Sequence, residues 1–344
     1  MHFFRSYQLW KNNKAGVMLM FGRKIKIWFF FTSIILFICS CATIQMGPRL
    51  GSLAEITIEE GNSAVKILLV DIDGPISNRS KKTLSGFKSE TGMVDRVREI
   101  LKKAEKDKKI KSVLLRINSP GGTVTSSDII YNEIKSFKER NKIKVYVSVV
   151  DVAASGGYYI AMASDFIMVH PTSITGSIGV LALKLNLKGL MDKVGVEWEV
   201  VKSAEKKDFM SPFRALSDEE RRLFQKTING YYERFVSIVA SNRHQLDVNA
   251  VKVLADGRVF DSHEALQSKL VDSIGYLSDL VKHIENDLNL RDMQVVSYIR
   301  PDGYKSNFYS AINSLPKVNL INLDMGFDWH QISPQFLFLW GGNS

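Results

Sequence analysis

Thiols are almost missing from this sequence. Its 344 residues include two cysteines, Cys39 and Cys41, both within or at the end of an N-terminal apolar run. Beyond Cys41 there is none, which excludes disulfides, cysteine nucleophiles and thiolate metal sites from the remainder. Histidine is scarce as well, at six residues. His2 precedes the apolar run and His244, His263 and His283 fall in stretches of helical pattern, so His170 and His330 remain as candidate general bases, neither of them in a motif. Acidic residues are absent from residues 1–54, which carry seven Lys and Arg. The formal net charge of +10 therefore sits mostly at the N terminus. That is a membrane-topology signal, and it argues against nucleic acid as a partner. Internal repeats and low-complexity segments are also lacking.

One long apolar run is present. It extends from Ile27 to Cys41 behind Arg23, Lys24 and Lys26, the basic and apolar parts of an export signal. At about 15 residues it is short for a membrane-spanning helix, which needs roughly 20. Its end, Ile38-Cys39-Ser40-Cys41, is similar to a bacterial lipobox that would place a lipid on Cys41, although Cys39 is unusual at its position. Residues 1–41 thus read as either a lipoprotein signal peptide or an uncleaved anchor. Both tether the body to a bacterial membrane and turn it away from the cytoplasm.

Residues 42–62 read as a polar linker, and the 45% hydrophobic content promises a large core in the rest of the chain. Strand patterns at 64–72, 112–117, 145–150, 166–169 and 197–201 alternate with helical ones at 91–106, 126–138, 155–164 and 187–194. This alternation predicts an α/β fold with a largely parallel sheet, whose functional loops leave the carboxyl ends of the strands. Ser217-Asp-Glu-Glu220 is a capping box opening a long helix to about Asn242, with Leu223, Phe224, Ile228, Tyr231 and Phe235 expected inside. Shorter helical patterns follow at 248–255 and 262–270. Beyond about residue 286 the chain reads as irregular, and residues 286–344 form an extension to which no role is assigned.

Three loops offer chemistry. Ser155, in Ala154-Ser-Gly-Gly157, sits where a strand hands over to a helix, a geometry that suits an aimed nucleophile and equally a plain helix cap. Asn118-Ser-Pro-Gly-Gly122 and Thr175-Gly-Ser-Ile-Gly179 read singly as turns. Together they bring two sources of backbone N–H and a hydroxyl to the ends of successive strands, as an oxyanion hole requires. A hydroxyl needs a base. A lysine serves only when burial or a nearby cation lowers its pKa from about 10.4 towards 7–8. Lys207, in Glu205-Lys-Lys-Asp208, reads by itself as an ordinary surface lysine beside Lys206.

These motifs, with Lys207-Asp-Phe-Met-Ser-Pro212 and Asp256-Gly-Arg-Val259, closely resemble the signal peptide peptidase A family, over roughly residues 64–285. The resemblance implies a Clp/crotonase-like fold of repeated βα units with a C-terminal helical region, occupying residues 63–285. It also implies a serine peptidase with a Ser-Lys dyad. Ser155 would be the nucleophile, Lys207 the base and Ser177 the residue that orients the lysine. The N–H groups of Gly122 and Gly156 would form the oxyanion hole. The family usually has glycine where this chain has Ala204. No metal and no organic cofactor is implied. The implied substrates are signal-peptide remnants and other apolar peptides at the membrane. The short form of the family further implies a homo-oligomeric ring in which the lysine of one subunit meets the serine of the next. Two other readings stand beside it: a crotonase-like acyl-CoA enzyme, disfavoured by the export signal, and a tethered scaffold without catalysis.

Overall fold

The computed structural model describes residues 51–78, 91–300 and 336–340, together with the backbone alone of 81–82, 89–90, 303–304, 313–314 and 335. The apolar run, Cys39, Cys41 and His330 lie outside the described residues. Among those described, no helix is long and apolar enough to cross a membrane.

The central strands of the main sheet, β2 (Lys66–Asp73), β3 (Ile110–Ser119), β5 (Lys144–Ala154) and β6 (Phe166–Val169), read as apolar runs because both faces are covered, whereas the edge strand β1 (Ala54–Glu59) is partly polar and exposed. A short strand, β4 (Gly121–Thr123), follows β3 outside this sheet. Near the C terminus come β10 (Ser273–Ile274) and β11 (Gln294–Ile299). Their spatial order is β1-β11-β2-β3-β5-β6-β10. All neighbours are parallel except β1 and β11. The expected linker at 42–62 therefore contains an edge strand, and the region beyond 286, read as irregular, supplies its partner.

Alternate residues of each strand serve opposite faces. Leu68, Val70, Val113, Leu115, Val145 and Val147 join one buried cluster, under α1 (Met93–Ala104), α2 (Val124–Asn141) and α3 (Gly156–Ala161). Ile67, Leu69, Leu114 and Tyr146 join a second, under α8 (Leu277–Asp287). Asp71 and Arg116 face each other across β2 and β3, both buried and bonded at 2.7 Å. Such a buried pair is costly to break from one side only.

At the carboxyl end of β5, β7 (Ile174–Gly176) adds a parallel extension, and β9 (Val259–Asp261) pairs β7 antiparallel. A separate small sheet has the order β8 (Leu181–Leu183), β12 (Gln335–Leu339), β4, antiparallel throughout. Beyond β8, α4 (Lys188–Val194) forms, but the strand expected at 197–201 does not; Trp198 is half exposed and Val201 is 98% exposed. The long helix α5 (Asp218–Asn242) has its capping box, with Glu220 N–H on Ser217 Oγ at 3.2 Å and Ser217 N–H on Glu220 Oε2 at 2.9 Å. Only its second half is embedded: Phe235, Val236 and Val239 are buried, whereas Leu223, expected inside, is exposed. The shorter helices are α6 (Val248–Leu254) and α7 (Ser262–Gln267).

Candidate active site

Strand β5 ends at Ala154, Ser155 follows with φ 54° and ψ −112°, and α3 begins at Gly156. A side-chain-bearing residue at positive φ is held at a cost of about 1–3 kcal/mol, so the surroundings must impose it. They do so through the backbone. Ser155 N–H donates to the Gly176 carbonyl at 2.7 Å, and Tyr159 N–H donates to the Ser155 carbonyl at 2.8 Å. The Ser155 hydroxyl makes no capping bond to α3. The plain helix-cap reading therefore fails, and the hydroxyl opens instead onto a cavity of about 450 Å³ shared with Ser177, Ile178, Tyr232 and Asp256.

Glycines bring two loops against Ser155. A methyl group on Gly156 would lie 2.5 Å from Ser127 Oγ and 3.2 Å from both Gly121 Cα and Gly122 N. One on Gly122 would overlap the Ile76 carbonyl. Gly121 has φ 100°, open to glycine alone at little cost. The loop is tied down by Gly121 N–H on Ser119 Oγ at 3.1 Å, by Ser119 Oγ–H on the Gly74 carbonyl at 2.7 Å and by Ile76 N–H on the Gly121 carbonyl at 2.8 Å. Gly122 and Gly156 thus stand side by side next to Ser155.

Ser177 joins them. It has φ 50°, is nearly buried, and its N–H donates to the Arg258 carbonyl at 2.7 Å. That bond gives Asp256-Gly-Arg-Val259 a positional role, since β9 holds the Ser177 loop from outside while Thr175 Oγ1–H holds it to the Ala153 carbonyl at 2.7 Å.

Lys207 is not brought to this place. It lies exposed in the short 3₁₀ helix Glu205–Asp208, outside the cavity lining and with no side-chain hydrogen bond or ion pair among the described residues. Its neighbour Lys206 is engaged, with Nζ 2.6 Å from Glu219 Oε1, a bond that raises its pKa. The segment is clamped by Arg214, whose guanidinium reaches Asp208 Oδ2 at 2.8 Å and Glu220 Oε1 at 2.6 Å. Hydrogen bonds from Arg214 hold both carboxyls below the usual carboxylate range, Glu220 at about 2. Their contribution is complete above the ordinary carboxylate pKa and fades only as pH falls through the lowered value. His170 is buried, which lowers its pKa, and packs on Tyr276 away from the cavity lining.

Sequence reasoning missed Leu339 and Trp340, which line the cavity beside Ser155. The signal was the run Gln335-Phe-Leu-Phe-Leu-Trp340, apolar and of strand length. Chemically, the arrangement can present a hydroxyl to a carbonyl carbon and adjoining amide donors to its oxygen, with a base still to be supplied.

The profile of peptidase family S49 matches residues 137–291 and that of the Clp proteases matches residues 79–173. The fold is accordingly Clp-protease-like. An Enterococcus faecium protein named as a signal peptide peptidase SppA is 40% identical over 246 residues, 72% of this chain and 70% of that protein. A Synechocystis protein named as a protease is 42% identical over 214 residues, 62% of this chain and 71% of that one. Protease 4 of Haemophilus influenzae is 33% identical over 258 residues, 75% of this chain but 40% of the relative.

The strain at Ser155 gives a test. Ser155→Gly should raise the unfolding midpoint of the chain, by relief of roughly 1 kcal/mol, while removing peptidase activity. An unchanged or lowered midpoint, measured by thermal denaturation, would mean that the turn is not strained.

Proposed function

Because the chain belongs to the signal peptide peptidase A family, within peptidase family S49, and is a serine peptidase of that type, we propose that it is a membrane-tethered endopeptidase with Ser155 as nucleophile and Lys207 as base. The observation that carries this reading is the strained, buried Ser155, uncommitted as a cap, beside the backbone of Gly122 and Gly156. Ser155 Oγ bonds to the carbonyl carbon of the substrate and gives its proton to Lys207. The C–N bond then breaks as Lys207 returns that proton to the leaving amine. Water, deprotonated in turn by Lys207, releases the acid from Ser155. The N–H groups of Gly122 and Gly156 stabilise the oxyanion, each donor contributing about 3 kcal/mol. Ser177 orients the lysine. No metal or cofactor takes part in this scheme. Substrates are signal-peptide remnants and other apolar peptides, held close by the N-terminal segment.

The exposure of Lys207 favours a site completed between subunits. A lysine in water is protonated at neutral pH and cannot act as a base until a neighbour buries it. The same chain carries a run of exposed apolar side chains close in sequence to Lys207, Leu190, Val194, Val196, Trp198 and Val201, of the kind that marks an interface. We therefore read the working form as a homo-oligomeric ring, each Ser155 receiving Lys207 from the adjacent copy.

Two experiments test this. Cleavage of a fluorogenic apolar peptide should be lost in Ser155→Ala and in Lys207→Ala alone, and should return in part when the two are unfolded together and reassembled as mixed rings. Mixed rings without activity would place the dyad within one subunit. For the tether, metabolic labelling with a fatty-acid analogue should mark the wild-type chain and not Cys41→Ser; an unlabelled wild type leaves the uncleaved anchor as the tether.

A further inference from the structure

The turn that carries Lys207 is not held by burial. None of the side chains of Glu205–Asp208 is buried, so apolar packing cannot fix where the lysine stands. Charge holds the turn instead. The planar guanidinium of Arg214 engages two carboxylates at once. On Asp208, Nε donates to Oδ2 at 2.8 Å and Nη2 to Oδ1 at 3.0 Å. On Glu220, Nη1 donates to Oε2 at 2.8 Å and Nη2 to Oε1 at 2.6 Å. Two such forks fix direction as well as distance, which a lysine in place of Arg214 could not do. The Asp208 and Glu220 side chains are only 13% and 5% exposed, which sets these pairs apart from open surface pairs of little worth.

Glu220 carries the hold into α5. Its Oε2 also accepts the Ser217 N–H at 2.9 Å as half of the capping box. Arg214 thus ties the turn to the first residues of a 25-residue helix whose far half is embedded in the core. From the other side Lys202 spans the turn, with Nζ on the Glu205 carbonyl at 2.7 Å and on Asp208 Oδ1 at 2.8 Å. The loop that follows is fastened to the segment after β8. Lys184 Nζ donates to the Arg214 carbonyl at 2.6 Å, and Leu187 N–H to the Pro212 carbonyl at 2.7 Å. Lys184, Lys202 and Lys206 each have a partner, the last on Glu219, whereas Lys207 has none among the described residues.

Resting on the reading of Lys207 as the base, we infer that Arg214 is the positioning residue of that base. It lies outside the cavity lining and acts only through the Lys207 of its own chain. By clamping Asp208 to the start of α5 it makes the preceding residue, Lys207, point one way towards an adjacent copy. On an unclamped turn the lysine would sweep through many positions, and proton transfer needs it within hydrogen-bond reach of the serine hydroxyl. Because Arg214 holds both carboxyls below the usual carboxylate range, the clamp stays charged wherever a lysine base titrates.

The full-length chain in detergent is compared as wild type, Arg214→Ala and Arg214→Lys on a fluorogenic apolar peptide, with assembly followed by sedimentation. Arg214→Ala is expected to lower kcat about 100-fold with KM little changed, as for a misplaced catalytic group. Arg214→Lys keeps the charge but not the forks and should stay close to the alanine variant. In both, the pH midpoint of kcat should move up towards the ordinary lysine value of about 10.4, because a base not seated in its neighbour is not buried. A loss of stability alone would reduce the amount of active enzyme and leave that midpoint in place. Asp208→Asn breaks one fork from the other side and is read in the same way should Arg214→Ala not fold or assemble. Wild-type kcat in Arg214→Lys, or an unmoved midpoint, overturns the inference.

Mixed rings locate the effect. Arg214→Ala is added either to the Ser155→Ala chain, which supplies the lysine, or to the Lys207→Ala chain, which supplies the serine. The activity regained on mixing should be lost in the first case and kept in the second. Loss in the second, or none in the first, overturns the inference. No regain even without Arg214→Ala refutes the shared site alone, and the pH midpoint then decides the role of Arg214.

Discussion

The site depends on a backbone-to-backbone contact. Gly121 and Gly122, in β4 just beyond β3, lie against Gly156 at the start of α3: a β-carbon on Gly121 would fall 2.7 Å from Gly156 N, and one on Gly156 would fall 3.2 Å from Gly121 Cα and Gly122 N. Two sets of N–H groups can share one oxyanion only if their chains come close, and the absence of a β-carbon at Gly121 makes this approach possible here. The contact also fixes the turn that carries Ser155. With Gly156 held against the first loop and the Ser155 N–H bound to Gly176 in the third, the intervening residue has little choice but positive φ. The strain is thus a consequence of bringing three loops to one point, and the parallel sheet is what aligns their strands so that all three leave at the same end.

Much of this was legible in the sequence because its signals are local. Buried strands such as Lys66–Asp73 announce themselves by unbroken apolar runs, and α1 by Val94, Val97 and Leu101 at helical spacing. The glycine pairs marked the loops. Less legible was everything set by distant partners. Ala54–Glu59 is polar on its open side, and only pairing with Gln294–Ile299 makes it a strand. Residues 197–201 have strand composition yet find no partner strand among the described residues, so their apolar side chains stay exposed. The first half of α5 misled for the same reason, since periodicity cannot tell a face covered by the same chain from one awaiting a neighbour or a peptide. Strand β12 is the sharpest case. Its run is of strand length, but nothing local says that it belongs beside Ser155.

Ser155, Ser177, Gly122 and Gly156 converge in one chain, whereas Lys207 remains in solvent, on a segment held by Arg214. On the proposed reading, the base reaches this hydroxyl from an adjacent copy. Strained backbone and amide donors are permanent features of the fold, while the base and the peptide strand are the parts that assembly and binding would supply.

The central claim is that Ser155 is the nucleophile, and covalent capture tests it most directly. The assembled chain is treated with a fluorophosphonate, which phosphonylates activated serine hydroxyls, and the modified peptide is sequenced by mass spectrometry. The account predicts a single adduct on Ser155, formed by the wild type and not by Lys207→Ala. An adduct on another serine, or none under conditions where the chain cleaves peptide, would contradict it.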